Sequence, residues 1–325
     1  MKNKLIKLSV YLGSGILSVL YGLSCQYAVR NGQSETASVL MVMSFGFIFL
    51  FPFSMGAVVV YFADTRFKKS FLFQAFAPWG VSAVSLFISM LVGWEGTICL
   101  IMALPVYLLM SSLGGLAMGA FLRMTSSKSL QMVSFAFLLI TPFISGKIEQ
   151  KFDLPQEIRT VDTEITVQAQ PETLWSRITV IPKITEPQES FFYYMGFPKP
   201  VEATLSYEGV GGIREAVFER GLLFLERITV WEENRRLSFS ILADPRSTPL
   251  TALDPHVTVG GYFFDTLLGE YEIEPKSEKE TVLKLRSKFR VSTRFNFYSS
   301  LWADFLMADI QKNILRVIKS RAEKG

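Results

Sequence analysis

Residues 1–146 alternate long apolar runs with short polar segments. Five of these runs contain no Asp, Glu, Lys or Arg, and roughly 20 such residues let a helix cross a hydrocarbon core of about 30 Å. The runs are Leu8–Val29, Ser38–Phe62, Phe71–Trp94, Thr97–Phe121 and Ser129–Ser145. The pattern predicts an all-α transmembrane bundle of about five spans over residues 1–146, of which the last, interrupted by Pro142, is the shortest.

Residues 147–159 form a polar connector, and from residue 160 the apolar period changes to two. Val161, Thr163 and Ile165 alternate with polar neighbours, which is typical of a half-buried strand. Pro171 then stands where a short helix would begin. Further alternating segments meet at polar or glycine-rich turns that suit antiparallel hairpins. They are Val201–Glu208, Ile213–Arg220, Leu222–Glu232, Arg236–Ala243, Gly269–Glu274 and Thr281–Val291.

The chain ends in one long amphipathic helix, which begins at Ser299 or Ser300 and reaches about Lys319. Its apolar positions are Leu301, Trp302, Phe305, Leu306, Ile310, Ile314, Val317 and Ile318. Together the elements predict an α+β domain over residues 160–325. Its order is a strand, a short helical region, about six strands and the long helix.

Three sequence features accompany this order of elements. They are the opening Val161-x-x-x-Ile165-x-Val167-x-Ala169-x-Pro171-Glu172-x-Leu174-Trp175, the middle stretch Gly209-Val-Gly-Gly-Ile-Arg214 followed by Gly221-Leu-Leu-Phe224-x-Glu226-Arg-Ile-Thr-x-Trp231, and the C-terminal helix with its Trp. With them, residues 160–323 resemble the START and polyketide-cyclase superfamily, also called SRPBCC. The resemblance implies a helix-grip fold, in which a curved antiparallel sheet and a long C-terminal helix enclose a deep apolar cavity. It also implies that the ligand is a lipid or another apolar molecule.

Charge is distributed unevenly along the chain. Residues 1–150 hold ten Lys and Arg against four Asp and Glu, whereas residues 151–325 hold 23 against 25. The second half is nearly neutral, which argues against nucleic-acid binding. Both cysteines, Cys25 and Cys99, lie in apolar runs, so the second half can form neither a disulfide nor a cysteine zinc site. We predict no metal and no cofactor, because no cluster of ligands or cofactor motif is present in the sequence.

Basic residues concentrate in alternate loops. One set of loops carries Lys2, Lys4, Lys7, Arg66, Lys68, Lys69, Arg123 and Lys128, and the other carries only Arg30. The positive-inside rule then predicts an inner (cell) membrane protein with a cytoplasmic N-terminus. With five spans the C-terminal domain is periplasmic or otherwise extracytoplasmic, and without the fifth it is cytoplasmic. Because the runs contain no Asp, Glu, Lys or Arg, a transporter is disfavoured.

The fourth run contains Gly115-x-x-x-Gly119, a spacing that lets two helices approach closely. Two interpretations are open at this stage. The glycines pack against another helix of the same bundle, or they form a homodimer contact through Gly115 and Gly119.

The predicted cavity has ten candidate lining residues. They are Phe192, Tyr194, Phe224, Glu226, Ile228, Tyr262, Tyr271, Trp302, Phe305 and Leu306. Half of each strand must face the last helix, and a sheet of this length encloses more volume than one helix fills. The aromatic segment from Phe191 to Tyr194 is either a lid on the cavity, a face that enters the bilayer surface, or part of the core.

Glu226 and His256 are the two candidates for acid–base chemistry. Glu226 shares an apolar strand face with Phe224 and Ile228, so it either orients a ligand or pairs with an Arg such as Arg214. His256, the one histidine of the chain, is either a base at the cavity mouth or a surface residue.

Four basic residues, Lys284, Arg286, Lys288 and Arg290, alternate on one strand face. This row is either a solvated outer face or a contact for anionic lipid headgroups.

These observations support three functional hypotheses. The first is a membrane-anchored protein that binds a lipid-like ligand in a helix-grip cavity and is not an enzyme. The second is an enzyme of the cyclase or dehydratase type that acts on an apolar substrate through Glu226 or His256. The third is a membrane scaffold with a partner-binding domain, which a solid core without a cavity would favour.

Overall fold

The computed structural model describes residues 2–31, 35–243 and 258–324. The chain divides into two compact units, one formed by Met1–Glu95 and Cys99–Leu154 and the other by Gly96–Ile98 and Pro155–Gly325. The last helix of the first unit ends at Glu149, and the first strand of the second begins at Glu157. Residues 150–156 therefore connect the two elements, and this connection is shorter than the predicted linker 147–159.

The first unit is helical. Its elements are α1 (Lys2–Asn31), α2 (Glu35–Val42), a π-helical turn (Gly46–Leu50), α3 (Phe51–Tyr61), α4 (Thr65–Lys68), α5 (Phe71–Leu91), α6 (Thr97–Met124) and α7 (Lys128–Glu149). Within the described residues, α5, α6 and α7 are long and apolar enough to cross a membrane. This is consistent with a membrane protein, but the predicted count of five spans is not confirmed.

The second predicted span, Ser38–Phe62, is not one continuous helix. Helix α2 ends at Val42, and a new helical segment starts after a turn at residues 43–44. The Glu149 carboxylate accepts the backbone N–H groups of Phe45 (2.7 Å) and Gly46 (3.0 Å), and Ser44 Oγ accepts that of Phe47 (3.1 Å). A helix start leaves such N–H groups without intrahelical partners, and an acid there also favours the helix dipole. The capping groups therefore stabilise the break.

Two glycines allow a close crossing of α3 and α6 in this unit. A Cβ on Gly56 of α3 would collide with the Ser111 carbonyl of α6, and a Cβ on Gly114 would collide with the Phe53 carbonyl of α3. Small residues permit such backbone approach between apolar helices.

Gly115 and Gly119 face α5 of the same chain. A Cβ on Gly115 would meet the Gln74 carbonyl, and a Cβ on Gly119 would meet the Gln74 side chain. Of the two interpretations that the spacing left open, the structure shows the packing within one chain. The glycine face suggested for a homodimer contact is covered by α5.

The second unit is a curved antiparallel sheet with a long C-terminal helix, which matches the helix-grip fold predicted for it. Its elements are β1 (Glu157–Val167), α8 (Pro171–Thr179), α9 (Phe191–Tyr194), β2 (Pro200–Leu205), β3 (Ile213–Phe218), β4 (Leu223–Glu232), β5 (Arg236–Ala243), β6 (Phe264–Pro275), β7 (Thr281–Val291) and α10 (Asn296–Ala322). The strand order is β1-β7-β6-β5-β4-β3-β2. Strand β6 begins five residues before the predicted Gly269, and α10 begins before the predicted Ser299 or Ser300.

The main core of this unit lies where α8 meets the sheet and the C-terminal half of α10. Trp175 of α8 packs edge-on against Trp231, with ring centroids 5.0 Å apart. The cluster includes Val167, Leu174, Ile178, Ile228, Leu237, Tyr271, Leu283, Leu315 and Ile318. Side chains thus fill the space under α8, and the space along the preceding turns of α10 remains for a cavity.

The basic row on β7 lies between acidic residues of both neighbouring strands. Lys284 pairs with Glu274 of β6 at 2.5 Å, and Arg286 pairs with Asp162 of β1 at 2.7 Å and with Glu270 at 3.4 Å. Arg290 donates a hydrogen bond to the Gly261 carbonyl. These pairs offset much of the positive charge, so the arrangement is that of a solvated outer face and weakens the case for an anionic-lipid contact there.

Candidate ligand cavity

A cavity of about 130 Å³ lies between the inner face of the sheet and α10. Its apolar lining includes Ala203, Ala216, Phe218, Phe224, Phe239 and Ile241 from the sheet and Leu306, Met307, Ile310 and Ile314 from α10. An apolar cavity of about 150 Å³ stays dry and holds one benzene molecule. This cavity is therefore suited to an apolar group about the size of one aromatic ring.

The lining contains three charged residues, the half-buried Glu202 and the buried Arg214 and Glu226, and strand geometry pairs the two buried ones. Arg214 on β3 stands directly opposite Glu226 on β4, and both side chains are buried. Arg214 Nη1 donates to Glu226 Oε2, so the pairing suggested by the sequence is confirmed. Arg214 Nε also donates to the Thr179 carbonyl at 3.3 Å, and the guanidinium lies 5.5 Å from the Phe239 ring centroid. The arginine is thus held on several sides.

Tyr271 of β6 completes a cluster of three polar side chains, and its phenol forms a hydrogen bond with Arg214. Burial raises the pKa of Tyr271 to about 12, so the phenol is neutral at physiological pH. Burial also raises the pKa of the Glu226 carboxyl above its ordinary value, and the Arg214 charge offsets this only in part. Burial opposes the charge of Arg214, but the attraction of Glu226 raises its pKa overall.

Thr266 contributes a hydroxyl with no hydrogen-bond partner among the described residues. Its side chain is buried and lines the cavity, and the ladder between β6 and β7 shifts register between Thr266 and Leu268. An unsatisfied buried hydroxyl costs about 1–3 kcal/mol, so a polar atom of a ligand or a water would be stabilised there. Thr266 is not among the residues predicted from the sequence, because the predicted strand began at Gly269 and a bulge changes which residues face inward.

Gln311 and Ser287 also line the cavity, but their polar atoms hold α10 on the sheet. Gln311 Nε2 donates to Ser287 Oγ (2.8 Å) and to the Val161 carbonyl (3.1 Å). Gln311 Oε1 accepts the Thr163 hydroxyl at 3.0 Å. These groups already have partners and are less available to a ligand than Thr266.

Four of the ten predicted residues line the cavity, namely Phe224, Glu226, Tyr271 and Leu306. Ile228 faces inward but lies in the packed core under α8. Phe192 is buried against Phe305, with ring centroids 5.1 Å apart.

The other predicted residues do not line the cavity. Tyr194, Tyr262 and Phe305 are exposed, and Trp302 is half-buried. On α10, Phe305 precedes Leu306 by one position, a turn of about 100° that moves it off the cavity face. His256 lies outside the described residues.

The fold and the cavity define this unit as a helix-grip domain with an internal apolar site. No protein family and no curated protein matches the chain. The similar solved structures cover its C-terminal half and include START-superfamily and polyketide aromatase/cyclase proteins, as the sequence resemblance indicates.

Three of these structures illustrate the likeness. The Zhui aromatase/cyclase from a Streptomyces species is 17% identical with a TM-score of 0.34, over 52% of this chain and 95% of its own. A START superfamily protein from Mycobacterium smegmatis is 14% identical with a TM-score of 0.34, and the match covers 51% of this chain and 97% of that protein. The protein XoxI from Bacillus cereus is 15% identical with a TM-score of 0.33, and the match covers 50% of this chain and 94% of that protein.

Proposed function

We propose that this protein holds an apolar small molecule or part of a lipid in the helix-grip cavity, and that its N-terminal helices anchor it in a membrane. The observation that carries the proposal is an apolar cavity that contains one unpartnered hydroxyl, on Thr266, beside the paired Arg214 and Glu226. A solid core would have favoured a scaffold instead.

Binding would depend mainly on burial of apolar surface, with each buried CH₂ contributing about 0.8 kcal/mol. A hydroxyl or carbonyl on the ligand would pair with Thr266 and set its orientation. Arg214 and Glu226 neutralise each other, so the site favours an uncharged ligand over an ion. The buried part of the ligand would be about the size of one ring or a short alkyl segment, given a cavity of about 130 Å³.

The proposal places the protein in an inner membrane. The excess of Lys and Arg in alternate N-terminal loops supports a cytoplasmic N-terminus. The side on which the C-terminal domain lies follows from the number of spans, and an odd number would put it in the periplasm.

Filling the cavity is expected to remove the ligand. Ala203 lines the cavity on β2, while its neighbour Thr204 points out of the sheet and is exposed. Ala203→Leu should lower ligand occupancy by about tenfold, because overpacking costs about 1–3 kcal/mol. Thr204→Leu adds the same side chain outside the cavity and should bind normally. Native mass spectrometry of the full chain, followed by extraction of any bound molecule, measures the occupancy.

Two results would count against binding in this cavity. One is a full chain that carries no extractable small molecule and takes up none from membrane extracts. The other is an equal amount of bound ligand in Ala203→Leu and Thr204→Leu when both variants have the melting temperature of the wild type.

An enzyme is the second candidate, because a carboxyl with a raised pKa lines the cavity at Glu226 and could hold or release a proton. Glu226→Gln and His256→Ala should then abolish product formation from an apolar substrate while leaving bound ligand in place. If instead no product forms with the wild type, or product forms equally with both variants, acid–base chemistry at these two residues is excluded.

A further inference from the structure

The first turns of α10 and helix α9 together expose large apolar side chains on the second unit. Phe297, Leu301 and Phe305 recur at every fourth position of α10, and Phe191 and Tyr194 come from α9. We call these five residues the aromatic patch. Their exposed fractions are 68%, 64%, 45%, 40% and 74%, respectively. Scattered single apolar residues are ordinary on a protein surface, but a contiguous group indicates a binding surface.

Ring contacts hold part of the aromatic patch in place. Phe305 lies 5.6 Å from Phe191 and 5.1 Å from the buried Phe192, measured between ring centroids. Trp302 lies 6.4 Å from Phe305 on the same side. The patch is therefore preorganised on two helices, and its outer side chains remain open to a partner.

The patch lies where the chain enters the second unit. Asn296 Nδ2 donates to the Pro155 carbonyl at 3.2 Å, and Ser300 Oγ donates to Glu157 Oε2 at 3.2 Å. One turn further, Arg159 is paired with Asp304. The entry segment is thus tied to the same turns of α10 that expose Phe297 and Leu301.

The length of the connection limits how far this end of α10 can be from a membrane. Helix α7, which is long and apolar enough to cross a bilayer, ends at Glu149, and β1 begins at Glu157. The seven residues between them, 150–156, span at most about 25 Å when fully extended. The opposite end of α10, at Ala322, is about 40 Å away along the helix. The patch therefore lies on the end of α10 at which the connection from α7 enters the second unit.

Two cavity-lining residues lie close in the chain to the aromatic patch. Leu306, next to Phe305, lines the cavity, and so does Phe197, which follows α9 closely in the chain.

We propose that the aromatic patch is a membrane-docking surface, whose side chains enter the headgroup and acyl boundary of the lipid bilayer that the N-terminal helices span. Aromatic and aliphatic side chains on a rigid helix are suited to this boundary. This proposal goes beyond the ligand function, since it requires only the bilayer and not an occupied cavity.

Spin labels on the full chain in phospholipid nanodiscs test the proposal. In a background of Cys25→Ala and Cys99→Ala, a nitroxide is attached to Tyr194→Cys or Leu301→Cys. Both labels should show high collision rates with oxygen and low rates with a water-soluble nickel complex, at a depth of about 5–10 Å below the headgroups.

Val210→Cys is the matched control. Val210 is an exposed apolar residue in the turn between β2 and β3. The adjacent Gly211 N–H donates to the Ile228 carbonyl, and Ile228 packs in one core cluster with Ile318 and Ala322. This turn therefore lies toward the C-terminal end of α10, and its label should be exposed to water.

Two outcomes would overturn the proposal. Labels at 194 and 301 that collide with the nickel complex as often as the label at 210 would show that the patch stays in water. Low collision rates with both reagents, together with spin–spin broadening, would show that a second copy of the chain covers the patch instead. Neither result depends on ligand occupancy, so the ligand function could stand or fall separately.

Discussion

Replacement of Arg214 by Met is expected to destabilise the second unit by about 3–5 kcal/mol, the largest effect we predict there. The substitution preserves much of the side-chain volume but removes the guanidinium that faces Glu226, Tyr271 and Phe239. Glu226 then remains buried without a charged partner, and desolvation of that carboxylate accounts for most of the cost. Urea unfolding of the full chain in detergent, followed by tryptophan fluorescence that includes the buried Trp175, measures the loss.

A matched control and a double variant separate this effect from a general loss of packing. Arg227→Met changes the neighbouring residue of Glu226 on the exposed face of β4 and should alter the free energy of unfolding by no more than about 0.5 kcal/mol. Arg214→Met combined with Glu226→Leu removes both charges and should recover most of the lost stability. A double variant that is as unstable as Arg214→Met alone would contradict this account.

The loss of unfolding free energy caused by Arg214→Met should also depend on pH. Without Arg214, the pKa of Glu226 in the folded state lies further above its unfolded value of about 4.3. Because the folded-state pKa of Glu226 is raised, the stability linked to the protonated carboxyl is fully present below the unfolded pKa. It is lost as the pH rises through the folded-state pKa. The variant should therefore be closer to the wild type at pH 5 than at pH 8, and unfolding curves at both values test this.

Gly56→Leu is expected to have the largest effect in the helical unit, with a loss of about 3 kcal/mol or more. Any Cβ at this position collides with the Ser111 carbonyl, which is backbone and cannot rotate away. Gly114→Leu should act in the same way through the Phe53 carbonyl, because the two glycines form one crossing of α3 and α6. The yield of monodisperse protein and the melting temperature of the full chain in detergent measure this loss of stability.

Gly80 provides the control for this prediction. It lies on an exposed face of α5, and a Cβ added there meets no atom within 4 Å. Gly80→Ala should be neutral or slightly stabilising, since Ala is the better helix former. Wild-type melting and yield for Gly56→Leu would show that α3 and α6 do not cross at these glycines.

The relation between sequence and structure differs between the two units. In the second unit, period-two alternation predicted the strands. It also correctly predicted that Phe224, Glu226 and Ile228 face inward, because alternation depends only on the local backbone. The pairing of Glu226 with Arg214 was also suggested from the sequence, since a buried carboxylate requires a partner. In the first unit, apolar length alone predicted the second span, and the structure divides it.

Contacts between residues far apart in the chain explain the remaining differences. Glu149 caps a helix start at Phe45 and Gly46, more than 100 positions away in the chain. The ladder register shifts beside Thr266, whose side chain lines the cavity. The sequence left open whether the basic row on β7 is solvated or contacts anionic lipid, and β1 and β6 place Asp162, Glu270 and Glu274 beside it.

The sequence alone thus determined the element types, the division into an apolar helical part and an α+β part, and the inward face of β4. These properties follow from periodicity and composition, which act over neighbouring residues. Only the tertiary structure decided which inward residues line a cavity and which fill the core, as Ile228 and Phe224 illustrate on the same strand. That choice depends on where α8 and α10 lie against the sheet, and long-range packing rather than local pattern sets their positions.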